Sequence, residues 1–209
     1  MSKLCQELHG LFNKLPQHTF PFSEEDIPLN GIYVLFEKGE LAHLSQRIVR
    51  IGTHTGKDQL RSRLFQHFLN ESKDRSIFRK NIGRALLYKN KDPFLSQWEL
   101  DLTTRKAKEK YASFINSKKQ TETEKQVTWY IQNNFTFAVL PFEDKLKRLE
   151  IEAKIISTVS LCTECKPSQD WLGLFSPKEK IQKSGLWLVN ELWKTPLSDK
   201  ELKELKQNL

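Results

Sequence analysis

Apolar residues recur at helical spacing at the start of the 209-residue chain. Four leucines at this spacing predict a helix over residues 2–15, which Pro16 ends. Residues 16–30 carry three prolines and the acidic run Ser-Glu-Glu-Asp. This composition predicts a loop that leads to Asn30-Gly31.

Two short apolar segments with the patterns of strands follow. Residues 32–36 are β-branched, aromatic or leucine, and residues 47–51 alternate polar with apolar and end at Gly52. Lys38-Gly39 offers a turn between the two segments. The pair therefore predicts an antiparallel hairpin with a rather long loop.

The pattern then changes to helical spacing. Leu60, Leu64 and Phe68 form the apolar stripe of a helix predicted over residues 59–69. Arg63 and His67 are four residues apart, so their side chains project together beside this stripe. A second helix is predicted over residues 76–90.

The second half of the chain contains one further strand. Residues 104–133 are rich in charge and predict helix in two pieces, whereas the pattern before them does not decide between strand and helix. Residues 135–142 predict the third strand, and an amphipathic helix follows with Glu152 at the edge of its apolar stripe. The tail predicts short helices anchored by Trp187 and Trp193.

This order of elements predicts an α+β fold in one domain over residues 1–209. A small three-stranded antiparallel sheet would be flanked by helices. The core is expected to comprise residues 29–83 and 135–173. A helical insertion covers residues 84–134, a helical extension covers 174–209, and the N-terminal helix is a further addition.

Composition and hydrophobicity bear on the location of the protein in the cell. Hydrophobic residues are 38% and charged residues 29% of the chain, and no apolar run reaches the roughly 18–20 residues that span a bilayer. The first residues lack the pattern of a signal peptide, so a cytoplasmic location without a membrane partner is expected.

The three cysteines are too few for a disulfide framework. Cys162 and Cys165 form one CxxC, but a zinc site needs four ligands and no second pair follows at usable spacing. Plain thiols are therefore expected, with a zinc site as the alternative.

Positive charge is concentrated in one stretch of the chain. The net charge is +8, and residues 57–91 hold ten Lys and Arg against three Asp and Glu. A solvated helical face would explain the excess, but its concentration favours a surface that binds nucleic-acid phosphates. The predicted nucleic-acid-binding residues are Lys57, Arg61, Lys73, Arg75, Arg79, Lys80 and Arg84.

Several residue types needed for phosphodiester hydrolysis occur in order. Gly31-Ile32-Tyr33 opens the first strand of the hairpin, and Arg50-Ile51-Gly52 closes the second. Arg63 follows in the next helix, and Glu152 follows in the helix after the third strand. The chain in this respect resembles the GIY-YIG nuclease superfamily, as a stand-alone bacterial member, over residues 29–83 and 135–173.

The resemblance implies a catalytic role for each matching residue. Tyr33 would lie beside the attacking water and the scissile phosphate, and Arg63 would bind that phosphate. Glu152 would be the sole protein ligand of one Mg²⁺ or Mn²⁺ per active site. His67 matches a histidine that positions water or accepts a proton. Structural roles for these four side chains are the alternative.

The sequence departs from the family pattern at three places. Arg50 replaces the second tyrosine, and arginine stays protonated, so it can bind phosphate but cannot act as a base. Thr53, followed by His54, stands at the family's lysine, and Asp170 at its distal asparagine. Strand alternation predicts that Arg50 shares a face with Ile48, away from the more apolar face of Val49 and Ile51.

These observations predict a metal-dependent endonuclease that acts on DNA, with RNA left open as a substrate and a homodimer allowed. The resemblance implies products with a 5′-phosphate and a 3′-hydroxyl. Two alternatives come from other classes of protein. One is a nucleic-acid-binding module that has lost catalysis, and the other is an α/β scaffold or interaction protein.

Overall fold

The computed structural model describes residues 2–207. The strands are β1 (Gln17–Thr19), β2 (Gly31–Ala42), β3 (Ser45–Gly52) and β4 (Phe135–Pro141). The helices are α1 (Ser2–Lys14), α2 (Leu60–Phe68), α3 (Ile77–Lys89), α4 (Leu95–Trp98), α5 (Arg105–Tyr111), α6 (Ser117–Asn134), α7 (Lys145–Ser160), α8 (Glu179–Ser184) and α9 (Asp199–Gln207), and a 3-10 turn covers Leu172–Phe175.

The predicted α+β class is confirmed, but the predicted strand number is wrong. The sheet has four antiparallel strands in the order β1-β4-β2-β3. The additional strand is β1, which pairs with β4 inside the segment that was predicted to be a loop. Its three residues show no apolar alternation, so pairing with β4 and not local pattern makes this segment a strand.

The hairpin turn lies further along the chain than predicted. Lys38 and Gly39 are part of β2, and the chain reverses at His43-Leu44. Both turn residues have positive φ, 51° and 58°. Tight hairpin turns with two such residues usually contain Asn or Gly. A His-Leu turn therefore carries no recognisable signal in the sequence.

Helices cover both faces of the sheet, so two apolar cores lie on either side of it. Val34 and Phe36 face a core shared with α1, α7 and α9. Tyr33 and Leu35 face the other core, which α2, α3 and α6 complete. Side chains from successive residues of β2 are therefore buried on opposite faces.

A bulge in β3 changes which residues share a face. Phe36 pairs with Ile48, but the next residue back, Leu35, pairs with Arg50. Ile48 and Ile51 therefore belong to one core and Val49 to the other, while Arg50 shares the face of Leu35 and Tyr33. The predicted grouping of Ile48 with Arg50 is wrong, because strict alternation does not hold across a bulge.

The segment between α3 and β4 is helical, as predicted, with α5 and α6 as its two charged pieces. Helix α6 packs against α2 and α3, on the face of the sheet that carries Tyr33. The division of the chain into core, insertion and extension stays a prediction. Among residues 2–207, none of the helices has the length and apolar character needed to cross a membrane.

Candidate active site

Neighbouring atoms lie too close to the two motif glycines for any side chain to fit there. A Cβ added at Gly31 would lie 2.6 Å from the carbonyl oxygen of Leu140 in β4. A Cβ added at Gly52 would lie 2.3 Å from the Tyr33 hydroxyl oxygen, and Tyr33 pairs with Gly52 across the hairpin. The missing side chain of Gly52 thus leaves the space in which the phenol of Tyr33 lies.

Tyr33 and His67 form a buried hydrogen-bonded pair. Tyr33 Oη lies 2.7 Å from His67 Nε2, and His67 Nδ1 lies 2.7 Å from Ser76 Oγ. Ser76 is the N-cap of α3 and accepts the backbone N–H of Arg79. Helices α2 and α3 therefore fix the imidazole between two hydroxyl groups.

His67 is neutral in this environment. Burial lowers its pKa well below the ordinary value, and the charges of Arg50, Arg63 and Arg79 lower it further. The buried Tyr33 hydroxyl has no other acceptor in the part of the chain that the structure describes. We therefore assign the Tyr33 O–H as donor to Nε2 and the Nδ1–H as donor to Ser76 Oγ, which also accepts the N–H of Arg79.

Arg50 is buried on the same face of the sheet as Tyr33. Its Nη1 donates to the carbonyl oxygen of Trp187 at 2.6 Å, and its guanidinium lies 5.1 Å from the centre of the Phe78 ring. Its Nε is buried and has no partner among residues 2–207. Arg50 thus combines a fixed position with an unused donor.

Glu152 lies half-buried on α7 beside the end of β3. Burial raises the pKa of its carboxyl group, although the Arg50 charge, the Thr53 N–H that it accepts and the Arg63 charge all act in the opposite direction. The carboxylate form is thus costly here without an added cation. The charges of Arg50 and Arg63 influence the pKa of both Glu152 and His67, so both arginines lie near each of these groups.

A groove of about 350 Å³ opens beside α2. Arg63 is half-buried in its wall and donates to Gln66 and to the carbonyl oxygen of Arg75. The other groove residues are Thr53, His54, Thr55, Gln59, Ser62 and Gln66. Hydroxyl, amide and cationic groups dominate this lining, which suits a phosphate chain.

The residues that depart from the family pattern have separate positions. The Thr53 hydroxyl donates to the carbonyl oxygen of Gly31 at 2.6 Å, so it fastens the two motif strands. His54 lies in the groove wall, and its Nε2 is buried without a partner in the described chain. Asp170 is exposed next to Trp171, whose indole donates to Glu37 further along β2. Asp170 makes no hydrogen bond to Tyr33 or His67 in the described chain.

Four of the seven predicted nucleic-acid-binding residues are buried. Arg79 donates to Glu124 and Thr128, and Arg84 pairs with Glu99. Lys73 and Lys80 donate to the carbonyl oxygen of Leu100 or of its neighbour Glu99. Three of these cations lie on α3 and Lys73 in the loop before it, and all four bond to the segment that follows α3. Because they are buried, they do not belong to an exposed phosphate-binding surface.

The other three predicted cations lie around the groove. Lys57 and Arg75 are exposed, and half-buried Arg61 donates through Nε to the carbonyl oxygen of Ile27. Lys57 lies in the loop that carries the groove residues Thr55 and Gln59, and the Arg75 backbone accepts from Arg63.

Several residues that contact the site were not predicted from the sequence. Ser76 holds His67, the Trp187 carbonyl holds Arg50, and the charge of Glu191 lies near Glu152. The serine before a helix is recognisable as a cap, but its bond to His67 is not. Trp187 and Glu191 belong to the C-terminal segment. Tertiary packing places this segment beside the site, and no local sequence pattern predicts that contact.

The four-stranded sheet carries Tyr33 and Arg50 on one face, and the Tyr33–His67 pair lies on that face. A family model described as a GIY-YIG domain matches residues 5–209, and the chain belongs to this family. Members of the family are generally nucleases, so membership indicates a nuclease-type function. No curated protein and no solved structure matches the chain.

Proposed function

We propose that the protein is a divalent-metal-dependent endonuclease that hydrolyses phosphodiester bonds in DNA. The observation that carries the proposal is the Tyr33–His67 hydrogen bond of 2.7 Å, which lies within the field of Arg50 and Arg63 and on the same side of the sheet as the groove. A neutral imidazole next to a phenol can accept its proton, so this pair can serve as the general base.

The first step is removal of a proton from the attacking water. Water gives its proton to Tyr33 Oη as the phenol proton moves to His67 Nε2. The resulting imidazolium keeps its Nδ1–H bond to Ser76, so the imidazole does not have to turn. The low pKa of His67 keeps Nε2 free to accept at neutral pH, and it lets the proton leave again after each turnover.

Arg50 and Arg63 stabilise the charge that builds up on the phosphate. The unpartnered Nε of Arg50 is a buried donor without an acceptor, and a phosphate oxygen would satisfy it. Arg63 lies in the groove wall, where the planar guanidinium can bind two oxygens of the same phosphate. The arginine at the place of the second motif tyrosine thus contributes electrostatic stabilisation and not proton transfer.

Glu152 is the residue that would hold the divalent cation. Its half-buried carboxyl group has a raised pKa despite two nearby arginines, so an additional positive charge would favour the carboxylate form. One carboxylate with water and phosphate oxygens is a usual set of ligands for Mg²⁺. When bound, the cation would supply a Lewis acid that neutralises charge on the leaving oxygen.

The test is cleavage of supercoiled plasmid DNA by the purified chain. We expect nicked and linear products with Mg²⁺ or Mn²⁺ and none with EDTA, and products that a ligase can rejoin because they carry a 5′-phosphate and a 3′-hydroxyl. Single-stranded RNA of matched length tests the choice of substrate. Cleavage that is unaffected by EDTA would contradict metal dependence.

A second candidate is a nucleic-acid-binding module without catalysis. The observation that favours it is burial, since neither Tyr33 nor His67 exposes any surface and water must therefore reach them by local opening. Salt-sensitive DNA binding with no cleavage in Mg²⁺ or Mn²⁺ would favour this function over the nuclease.

A further inference from the structure

Five side chains of metal-ligand type meet at the end of the β2–β3 hairpin that lies furthest from Tyr33. Cys5 and His9 lie on α1, His43 in the hairpin turn, and Cys162 and Cys165 after α7. All five side chains are buried. We name them the Cys/His cluster. The ligand atoms of Cys5, His9, His43 and Cys165 all lie within 4.8 Å of one another.

The distances within the cluster are those of atoms that share one cation. Cys165 Sγ lies 3.4 Å from Cys5 Sγ and 3.2 Å from His43 Nε2, and Cys162 Sγ lies 3.5 Å from the same nitrogen. Sulfur and nitrogen ligands of tetrahedral Zn²⁺ are separated by roughly 3.5–3.8 Å, given their bonds of about 2.3 and 2.0 Å. A disulfide would need about 2.0 Å, and the three cysteines are free.

We propose that Cys5, His43, Cys162 and Cys165 bind one structural zinc ion. The CxxC provides two thiolates, helix α1 the third, and the hairpin turn the imidazole. Three thiolates and one imidazole form a closed set of four ligands, which is typical of structural sites. Binding would release the protons of the thiols.

His43 has the surroundings of a zinc ligand. Its Nε2 faces the two sulfurs of the CxxC, and its Nδ1 lies 3.4 Å from a carboxylate oxygen of Glu164. Histidine ligands usually donate their second nitrogen to a carboxylate or carbonyl oxygen, which fixes the tautomer and the ring orientation. Glu164 therefore acts as a positioning residue for His43.

His9 is the fifth member of the cluster and has a different role. Its Nδ1 lies 2.9 Å from the Cys5 carbonyl oxygen, and its Nε2 accepts the Ile48 N–H at 3.2 Å. Its contacts with sulfur are longer, 3.6 Å from Nδ1 to Cys5 Sγ and 3.9 Å from Nε2 to Cys165 Sγ, so the backbone groups are the nearer partners of both nitrogens. His9 therefore connects the helical turn that carries Cys5 to β3, whereas Cys162 Sγ, at 3.5 Å from His43 Nε2, provides the fourth ligand.

The ion would hold together three segments that are distant in the sequence. It would fasten α1 to the hairpin turn and to the loop after α7, and closing such long loops stabilises the folded chain. It would also explain why the turn uses His43, whose positive φ is unfavourable for most residues. The cluster is separate from the Glu152 site, because thiolates select zinc and a lone carboxylate selects Mg²⁺ or Mn²⁺.

The first test is the metal content of the full chain, purified without a histidine tag and measured by mass spectrometry of the elements. We expect about one zinc ion per chain, as one closed site requires. Cobalt(II) added to the zinc-free chain should give the visible spectrum of tetrahedral coordination with sulfur-to-metal charge transfer. A chain that binds neither metal, or that contains a Cys5–Cys165 disulfide when freshly purified, would overturn the proposal.

Variants of the cluster test which residues are ligands. Cys165→Ser, Cys162→Ser and His43→Asn should lose zinc, and asparagine tolerates the positive φ of the turn. Glu164→Gln should bind zinc about tenfold more weakly, as expected for a residue that orients a ligand. The controls are His9→Gln and His18→Asn, which should keep full zinc content.

The opposite result, zinc lost in His9→Gln and kept in Cys162→Ser, would overturn the assignment of the fourth ligand. The spectrum of cobalt(II) in the wild-type chain keeps the test decisive if a variant does not fold. Its charge-transfer intensity counts the thiolates, and two thiolates instead of three would contradict the proposed set.

Discussion

The two ends of the β2–β3 hairpin both carry buried titratable side chains, but the two groups differ in chemistry. At the Tyr33 end, hydroxyl, imidazole and carboxyl groups lie beside arginines. At the His43 end, thiols and imidazoles meet, and Glu164 lies at their edge. Burial is similar, so the type of donor determines what each end can bind. Oxygen donors and arginines suit a phosphate and a hard cation, and thiolates suit zinc.

The ends also differ in what their removal should do. The Tyr33 end is held by backbone contacts at Gly31 and Gly52 and by the Ser76 cap, so its functional groups can change while the fold persists. At the His43 end, the proposed zinc ion would add a direct link between α1, the turn and the loop after α7. Changes at the first end should reduce turnover, and changes at the second should reduce stability.

The largest effect is expected from Glu152→Gln. Without the carboxylate the divalent cation is lost, and a Lewis acid worth several kcal/mol corresponds to a loss in turnover of about a thousandfold or more. Rates of plasmid nicking in Mg²⁺ measure this loss. The matched control is Glu150→Gln, an exposed glutamate on the same helix that pairs with Lys154. Zinc content and thermal unfolding should stay at the wild-type values, and a variant that cleaves normally would exclude Glu152 as the metal ligand.

Tyr33→Phe should give the next largest loss, about a hundredfold or more, because a positioned acid–base group typically contributes at least that factor. The phenyl ring still fills the space beside Gly52, so the unfolding temperature should change little. Single-turnover cleavage rates measure the effect, and Tyr88→Phe on exposed Tyr88 is the control. Equal rates for both variants would show that Tyr33 is not part of the general base. His54, whose Nε2 has no partner in the described chain, would then be the candidate.

The elements of the Tyr33 end could be predicted from the sequence, because each of its two strands and two helices has an apolar period. The roles of Tyr33, Arg63, His67 and Glu152 follow only from the resemblance to the family, and they stay predictions. The bulge in β3 and the contact of Arg50 with the Trp187 carbonyl could not be predicted, because neither leaves a local pattern. The burial of Arg79 and Arg84 on α3 could not be predicted either, because the sequence does not show that Glu124 and Glu99 lie opposite them.

The His43 end could hardly be predicted at all. Its CxxC was noticed but was expected to have no partners, because zinc sites are recognised from pairs at short spacing. Here Cys5 and His43 come from elements far away along the chain. The turn at His43-Leu44 also lacks the Asn and Gly residues that are typical of tight hairpin turns. Only the sheet and the packing of α1 on β3 bring these ligand atoms together.

Arg50→Lys tests the arginine that replaces the second tyrosine of the family motif. Lysine keeps the charge but loses the planar fork, and one charge-assisted hydrogen bond of about 1.5–3 kcal/mol corresponds to a roughly tenfold or greater fall in turnover. Arg50→Tyr, which restores the motif, should keep measurable activity. Steady-state kinetics on a labelled duplex separate turnover from binding. Wild-type turnover in both Arg50→Lys and Arg50→Ala would make Arg50 a structural residue.

The smallest effect concerns the cations around the groove. If Lys57, Arg61 and Arg75 are the phosphate contacts, the plot of log affinity against log salt should have a slope of about −3, whereas seven contacts would give about −6. A slope of about −3 would therefore support the three contacts that the structure leaves accessible, against the seven that the charge pattern of residues 57–91 predicts. Fluorescence anisotropy of a short duplex at several salt concentrations measures it.

Single substitutions then locate those contacts at one end of the hairpin. Arg75→Gln should reduce the slope by about one phosphate contact. Lys166→Gln removes an equally exposed cation beside Cys165, at the opposite end, and should leave the slope unchanged. If Lys166→Gln lowers the slope as much as Arg75→Gln does, DNA follows both ends of the hairpin. The separation between a phosphate-binding end and a metal-binding end would then be wrong.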